Sequence, residues 1–172
     1  SRRRWPVIIT AVGLHAGVLL AFIPGTSSWG AVGVALLLHC LTIGFGVALG
    51  FHRLASHRSF RVPKWLEYSL IFCGTLAGQG GVLGWVGYHR LHHRHTDQQL
   101  DPHDSTQGFF WSHIAWLMHE VPSRKQMTPH IRDIADDPFY LFCHEYYIAL
   151  QLGLAAVLYA LGGWPFVIWG IF

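Results

Sequence analysis

Two long apolar runs occupy the first third of the chain, from Trp5 to Ile23 and from Trp29 to Phe51. At 1.5 Å per residue, helices of these lengths would reach roughly 28 and 35 Å, which is enough to cross a hydrocarbon core of about 30 Å. Their linker, residues 24–28, reads Pro-Gly-Thr-Ser-Ser and is therefore short and turn-like. The pattern predicts two membrane-spanning helices that form an antiparallel hairpin.

A third apolar stretch, from Trp65 to Leu83, separates two groups of histidines and carries Glu67, Gln79 and a glycine cluster. If this stretch crossed the membrane, the two histidine groups would emerge on opposite faces and could not bind a common metal. We therefore predict a helix that either lies in or under the interface or is re-entrant, so that the chain returns to the same face.

The second half of the chain begins with a polar segment. Residues 89–137 hold most of the acidic side chains and several prolines, which predicts a cytoplasmic cap of short helices and loops. A further apolar run from Tyr146 to Leu161 predicts a third span, and Gly-Gly-Trp-Pro at 162–165 predicts a break after it. Phe166 to Phe172 has the composition of the start of a fourth span. The expected fold is a single all-α integral membrane domain over residues 1–172.

Both ends of the chain lead to an expectation about its extent. A helix cannot end in mid-bilayer with unsatisfied carbonyl groups, so the short run from Phe166 to Phe172 leads us to expect a C-terminal truncation. The chain begins with Ser1 and not with a methionine, which suggests that the N-terminus is also cut. On this interpretation the domain is incomplete.

Composition and charge placement predict the class of protein and its sidedness. The chain is 52% hydrophobic and 12% charged, whereas soluble domains carry about 25% charged residues, so we expect an integral membrane protein. The net charge of +3 does not suggest a nucleic-acid partner. Arginines precede the first span and follow the second, while the linker between the spans is uncharged. The positive-inside rule then places the N-terminus and the first histidine group in the cytoplasm.

Five histidines in two short motifs are the candidate metal ligands. The first motif holds His52 and His57, and the second holds His89, His92 and His93. Imidazole is a good ligand for iron and other first-row transition metals. The second motif shares one helical face because its spacing is i, i+3 and i+4. His52 and His57 are about 140° apart on a regular helix, so either they bind opposite sides of a metal pair or the helix loosens as it leaves the membrane.

Polar groups near these motifs suggest supporting roles, each with a plainer alternative. Either one or two of Asp97, Asp101 and Asp104 accept the second ring N–H of a metal-bound imidazole, or these acids form a solvated loop. His95 and His103 are assigned to the surroundings of the metal or to the surface. Interleaved arginines would keep the imidazoles neutral and offer a docking surface to an acidic electron carrier. These arginines are Arg53, Arg58, Arg90 and Arg94.

Four stretches around the motifs closely resemble the membrane fatty acid desaturases. They are Gly50–Phe60, Trp85–His93, Asp101–Ser105 and Gly108–His113. The resemblance is strongest to the delta-9 group, which includes the stearoyl-CoA desaturases and the cyanobacterial acyl-lipid enzymes. The combination of HxxxxH with a following HxxHH at this separation is a specific signature, whereas either motif alone is less so.

The resemblance implies a pair of irons held by three histidine motifs, of which His52, His57, His89, His92 and His93 are the ligands found here. It implies four membrane helices with both termini cytoplasmic, and an in-plane helix between the first two motifs. It also implies O2-dependent removal of two hydrogens near the middle of an acyl chain, with electrons from a ferredoxin or cytochrome b5 carrier. The family's third histidine motif does not occur in the sequence, so we expect the chain by itself to be inactive.

Candidate substrate-binding residues come from two sources. By resemblance, Gln79 and Trp85 match positions that line the bend of the family's substrate tunnel. From spacing, Leu36, Cys40 and Ile43 lie one to four turns before the first histidine motif, so they are candidates for the tunnel floor. A bulkier residue at one of them should shorten the accepted acyl chain.

Substrate class and reaction type leave alternatives open. Residues 84–88 lack the charged pair that acyl-CoA enzymes of the family carry, which favours an acyl-lipid over an acyl-CoA substrate. A related membrane di-iron hydroxylase or ketolase would use the same motifs but insert oxygen. A non-enzymatic, His-rich metal-binding or transport protein would need ligands within the spans, where His15 and His39 lie.

Overall fold

The computed structural model describes residues 3–119 and 124–172. Within these residues every regular element is a helix, and strand-like pairing is limited to an isolated bridge between Arg3 and His119. Three of the described helices are long and apolar enough to cross a membrane, over residues 5–22, 29–56 and 147–171. The prediction of an all-α membrane protein is confirmed.

The helices are numbered in chain order. Helix α1 is Trp5–Val18 and continues as a 3₁₀ turn over Leu19–Phe22. Helix α2 is Trp29–Leu38 and continues as a π-helix over His39–Ser56, which we call the π segment. The later elements are α3 (Lys64–Thr75), α4 (Val82–His95), a 3₁₀ turn (Ser105–Gln107), α5 (Phe109–His113), a 3₁₀ turn (Ala115–Met118), α6 (Arg124–Ile131), α7 (Pro138–Glu145) and α8 (Tyr147–Ile171).

The linker at residues 24–28 pairs the polar ends of both helices that it joins. Ser27 Oγ donates to the Ala21 carbonyl at 2.9 Å, which satisfies an acceptor at the end of the first helix. Ser28 Oγ accepts from the Ala31 N–H at 3.1 Å, which is the hydrogen bond of an N-cap. These bonds are consistent with the short turn predicted between the first two spans.

Helix α3 packs antiparallel against the π segment at two glycines. A Cβ on Gly46 would lie 2.2 Å from the Gly74 nitrogen, and a Cβ on Gly50 would lie 2.8 Å from the Leu70 carbonyl oxygen. Glycine is therefore required for this close approach of the two backbones. The 12 residues of α3 cover about 18 Å, which is too short to cross a bilayer, and α4 returns the chain. The geometry matches the re-entrant alternative for the third apolar stretch.

The main core lies where α3, α4 and α7 meet the end of the π segment. Its buried side chains are Phe51, Ala55, Ile71, Val82, Leu83, Val86, Ile134, Tyr140 and Cys143. Asp137 caps α7 by accepting from the Phe139 N–H at 2.9 Å. Its other oxygen accepts from the Lys64 ammonium at 3.2 Å and from the Tyr68 hydroxyl at 3.1 Å. These bonds hold α7 against α3, and the start of α4 packs between these two helices in the core.

Helix α8 turns back on itself at the Gly162–Gly163 pair, whose backbone angles leave the helical range. A Cβ on Gly170 would lie 2.7 Å from Leu158 Cδ1, whereas a straight helix would separate these residues by about 18 Å. Trp169 Nε1 donates to the Thr26 carbonyl at 3.0 Å, so the returning segment lies beside the linker of the first two spans. The predicted break is confirmed, and the residues after it are helical. That they begin a fourth span stays a prediction.

The start of helix α1 lies at the same end of the molecule as the second histidine motif. The Arg4 N–H donates to the Met118 carbonyl at 2.8 Å. Trp116, in the same 3₁₀ turn, contacts Tyr88 of α4 with ring centroids 5.6 Å apart. The predicted cap of short helices is present on both sides of residues 120–123, which lie outside the described part of the chain.

Candidate metal centre

His52 and His57 point the same way because the helix that carries them is wound as a π-helix. In a π-helix the N–H of residue i+5 bonds to the carbonyl of residue i, so residue i+5 takes the place that residue i+4 has in an α-helix. The His57 N–H donates to the His52 carbonyl at 3.0 Å, and their Nε2 atoms lie 3.1 Å apart. Of the two alternatives for this motif, the structure agrees with the loosened helix.

Helix α4 brings two more imidazoles to the same point. His89 Nε2 lies 3.1 Å from His57 Nε2. One ring nitrogen from each of His52, His57, His89 and His93 lies within 4.8 Å of the others, and we call these four residues the imidazole cluster. Donors around a metal with bonds of about 2.1 Å lie about 3.0–3.4 Å apart, so the spacing fits a bound ion.

The contacts of His57 test whether hydrogen bonding alone accounts for the cluster. Its Nε2 faces the Nε2 atoms of both His52 and His89 at 3.1 Å. A neutral ring nitrogen carries either one hydrogen or one lone pair, so it makes one linear hydrogen bond and not two. A cation between the rings would satisfy all three nitrogens together. The donor set therefore fits a transition metal that accepts imidazole ligands, such as iron.

Burial lowers the pKa of three rings of the cluster, those of His57, His89 and His93. Desolvation, together with the neighbouring His52 and His93, lowers the pKa of His89 to about 3. Burial also lowers the pKa of His57, and His52, His93 and Arg90 lower it further. Such rings are neutral at pH 7, which is the form that binds metals. As predicted for the interleaved arginines, Arg90 lowers the pKa of His57, although burial lowers it more.

His92 stands beside the imidazole cluster. Its ring centroid lies 5.3 Å from that of His93 and 6.4 Å from that of His89. Its Nδ1 lies 2.9 Å from both carboxylate oxygens of Asp101, and its ring stacks on that of His103 at 4.0 Å. The structure thus gathers four of the five predicted ligands into one cluster and gives His92 polar partners of its own.

The Arg90 side chain links the two histidine motifs through hydrogen bonds on their buried side. Its Nε donates to the Ser56 carbonyl at 3.1 Å, and its Nη2 donates to the Ala55 carbonyl at 2.5 Å. Its two terminal nitrogens also grip Asp133 at 2.6 and 3.0 Å. The expectation that Arg90 contributes to a docking surface is wrong, because its side chain is 14% exposed and bonded to four residues, Ala55, Ser56, His130 and Asp133.

Asp133 is a supporting residue that the sequence did not single out. It accepts from Arg90 and also pairs with Arg58. Burial alone would raise the pKa of Asp133, but the hydrogen bonds from Arg90 and Arg58 hold it below its usual range, so the carboxylate is charged. It lies 43 residues after Arg90, so no local spacing connects the two, and the pairing follows from the packing of α6 on α4.

Two of the predicted substrate residues lie next to the cluster. The Trp85 ring stacks on His89, with centroids 5.0 Å apart and planes at 22°, and its Nε1 donates to Gln79 Oε1 at 3.0 Å. Leu36 is 67% exposed and Cys40 is also exposed, both on the second span. Their role as a tunnel floor stays a prediction.

Comparison with known proteins gives the family. The family model described as fatty acid desaturase matches residues 27–172. The sn-1 stearoyl-lipid 9-desaturases of Synechocystis sp. and Anabaena variabilis are 56% and 55% identical to the chain over 98% of its length. The sn-2 palmitoyl-lipid 9-desaturase of Nostoc sp. is 46% identical, also over 98% of the chain. The chain spans 53%, 62% and 60% of the lengths of these three relatives, respectively.

Long apolar helices with a cluster of imidazoles at one end define a membrane protein with a candidate transition-metal centre. The family match covers most of the chain and makes the assignment more particular. This chain belongs to the fatty acid desaturase family, a family of oxidoreductases. The resemblance found in the sequence is confirmed.

Proposed function

We propose that this protein introduces a double bond at the delta-9 position of an acyl chain held in a membrane lipid. Two hydrogens leave the acyl chain, and O2 accepts them with two electrons and two protons to give two waters. The observation that supports this proposal best is the convergence of four imidazoles at one point beside the Trp85 ring. The names of the three relatives, all lipid 9-desaturases, support the substrate class.

The proposed cofactor is a pair of irons. When bound, it would supply the oxidising power that an unactivated methylene C–H bond requires. The four residues of the imidazole cluster would hold iron, and His92 would present its Nε2 to the same centre. Two irons with about five or six ligands each need more than five imidazoles, so the proposal includes further ligands from outside this set.

The polypeptide would bind and orient the acyl chain and exclude water. The Trp85 indole forms a flat wall over His89, and its N–H is held by Gln79. An acyl chain that passes this wall would reach the centre in one orientation. Phe51 and Val86 are fully buried and would keep water away from the core side of α4. Excluding water protects the oxidant from side reactions.

An acyl-lipid fits this chain better than an acyl-CoA. Residues 84–88, Gly-Trp-Val-Gly-Tyr, offer no charge to a CoA phosphate. The proposed site is cytoplasmic. Arginines lie before the first span and after the second, and the linker between the two spans is uncharged. The hydrogen bond between Arg4 and Met118 supports an N-terminus on the same face. The electrons would come from a ferredoxin-like or cytochrome b5-like carrier.

Product mass tests the reaction type. We expect that expression from the complete reading frame, in a host without a delta-9 desaturase, yields membrane lipids whose acyl chains have lost two hydrogens. A gain of one oxygen would instead identify a hydroxylase or ketolase. Unchanged lipids with bound metal would favour a metal-binding protein. Against that last alternative, His15 inside the first span bonds to the Ala11 carbonyl of its own helix at 2.7 Å.

The preferred length of the acyl chain tests whether Cys40 belongs to the tunnel floor. Replacing Cys40 with Trp is expected to move the preference towards the shorter acyl chain by at least about tenfold, since one methylene in an apolar pocket is worth about 10–200-fold. Competition between 16- and 18-carbon lipids, about two methylenes apart, measures the shift. The control is Leu41→Trp, which introduces the same indole ring at the next position, on a different helical face. Equal preference in both variants would contradict the assignment of Cys40.

A further inference from the structure

The carboxylate of Asp101 is buried, and both of its oxygens accept hydrogen bonds. Its side chain is 0% exposed. Oδ1 accepts from the His103 N–H at 3.1 Å and Oδ2 from the Asp97 N–H at 2.9 Å, and each oxygen lies 2.9 Å from His92 Nδ1. Both oxygens are therefore engaged by three nitrogens, of which the His92 Nδ1 is shared between them.

The group of His92, Asp101 and His103 could itself be taken for a metal site, because one possible ligand atom from each lies within 4.8 Å of the others. Two observations argue against this. The oxygens of Asp101 already accept from two backbone N–H groups and from His92. The rings of His92 and His103 are stacked at 28°, so their in-plane lone pairs run alongside each other and do not converge. The group supports His92 and does not form a second metal site.

The ionised carboxylate can only accept, so the hydrogen of the contact belongs to His92 Nδ1. A neutral imidazole with its hydrogen on Nδ1 has a bare lone pair on Nε2. We propose that Asp101 is a positioning residue that fixes His92 in the Nδ1–H tautomer and aims its Nε2 at the metal centre. This inference rests on the proposed function, in which His92 is a ligand of the iron pair.

The loop that carries Asp101 is built to hold this contact without a metal. Asp97 has a left-handed backbone with φ 55°, which turns its N–H towards Asp101. Its side-chain oxygen accepts from the Ser105 N–H at 3.2 Å and from the Ser105 hydroxyl at 2.7 Å. The loop is thereby closed on itself around Asp101, so the position of the carboxylate is set by the protein.

The variant Asp101→Asn tests the proposal because an amide cannot replace this carboxylate. Both oxygens accept from backbone N–H groups, so in either orientation the new NH2 group would face a donor. The same NH2 would compete with the hydrogen on His92 Nδ1. We expect the variant to shift His92 towards the Nε2–H tautomer and to lower the affinity for Fe²⁺ by about 10–100-fold, the usual effect of losing the partner of a ligand.

Long-range ¹H–¹⁵N correlation spectra of the metal-free protein, labelled at histidine, read the tautomer directly. The matched control is Asp104→Asn in the same loop. Asp104 is also buried, but it accepts from Thr106 and Gln107 and not from a histidine. The control should leave the His92 tautomer and the Fe²⁺ affinity unchanged.

A wild-type His92 with its hydrogen on Nε2 would overturn the proposal, and this spectrum needs no variant. An Asp101→Asn protein with an unchanged tautomer and unchanged Fe²⁺ affinity would overturn it as well. Because the tautomer is read without metal or substrate, failure here is distinct from failure of the desaturase proposal. The latter would appear as lipids without double bonds and a His92 that still carries its hydrogen on Nδ1.

Discussion

Replacing His57 with alanine is expected to abolish both iron binding and the formation of unsaturated lipid. His57 Nε2 lies 3.1 Å from the Nε2 atoms of His52 and His89, so the substitution removes the nitrogen that joins the two motifs. Losing an outer partner of a metal ligand costs about 10–100-fold, and losing a ligand should cost more than this. The measurements are iron per protein chain and the unsaturated fraction of the membrane lipids, for the protein expressed from its complete reading frame.

The control for His57→Ala is His113→Ala. His113 is exposed and stacks on Phe109 with ring centroids 5.2 Å apart, away from the imidazole cluster. This variant should keep wild-type iron and product. Full iron content and activity in His57→Ala would contradict the assignment of the cluster as the metal site.

Replacing Arg90 with methionine is expected to destabilise the protein and to separate the two histidine motifs. The guanidinium bonds to the carbonyls of Ala55 and Ser56 and grips Asp133, so its loss leaves a charged and partly buried Asp133 with one cation fewer. Removing one member of a buried ion pair costs about 3–5 kcal/mol. We expect about 3 kcal/mol, because the Asp133 side chain is 32% exposed. Thermal unfolding in detergent should show a Tm lower by about 6–12 °C.

Two further variants separate position from charge at Arg90. Arg94→Met removes an exposed cation one turn further along α4 and should change the Tm little. Arg90→Lys keeps the charge but cannot form the fork on Asp133, so it should restore only part of the stability and of the Fe²⁺ affinity. A Tm for Arg90→Met equal to that of Arg94→Met would contradict the role given to Arg90.

Much of the fold could be predicted from the lengths of the apolar runs and from the residues that interrupt them. The runs at 5–23 and 29–51 correspond to two long helices. The Gly-Gly pair before Trp164 corresponds to the turn inside α8, where Gly163 has φ 65°. The need for both histidine motifs on one face predicted the return of the chain through α3 and α4. Hydropathy alone would have predicted a further span.

The arrangement within the site could not be predicted, because it depends on backbone winding and on distant partners. The local sequence does not predict the π-helical winding of the π segment, yet this winding brings His52 and His57 to the same side of the helix. Arg90 belongs to a row of arginines that suggests a charged surface, and its partner Asp133 is 43 residues away. The spacing of the second motif predicts the same role for His92 as for His89 and His93. In the structure, the loop that carries Asp101 gives His92 different surroundings.

The central claim is that the two histidine motifs meet on one face to hold a pair of irons. X-ray absorption at the iron edge, with iron quantified per chain, tests this claim most directly on protein purified from the complete reading frame. The account predicts two irons per chain and imidazole scattering around them. A single isolated metal, or irons without imidazole ligands, would contradict it.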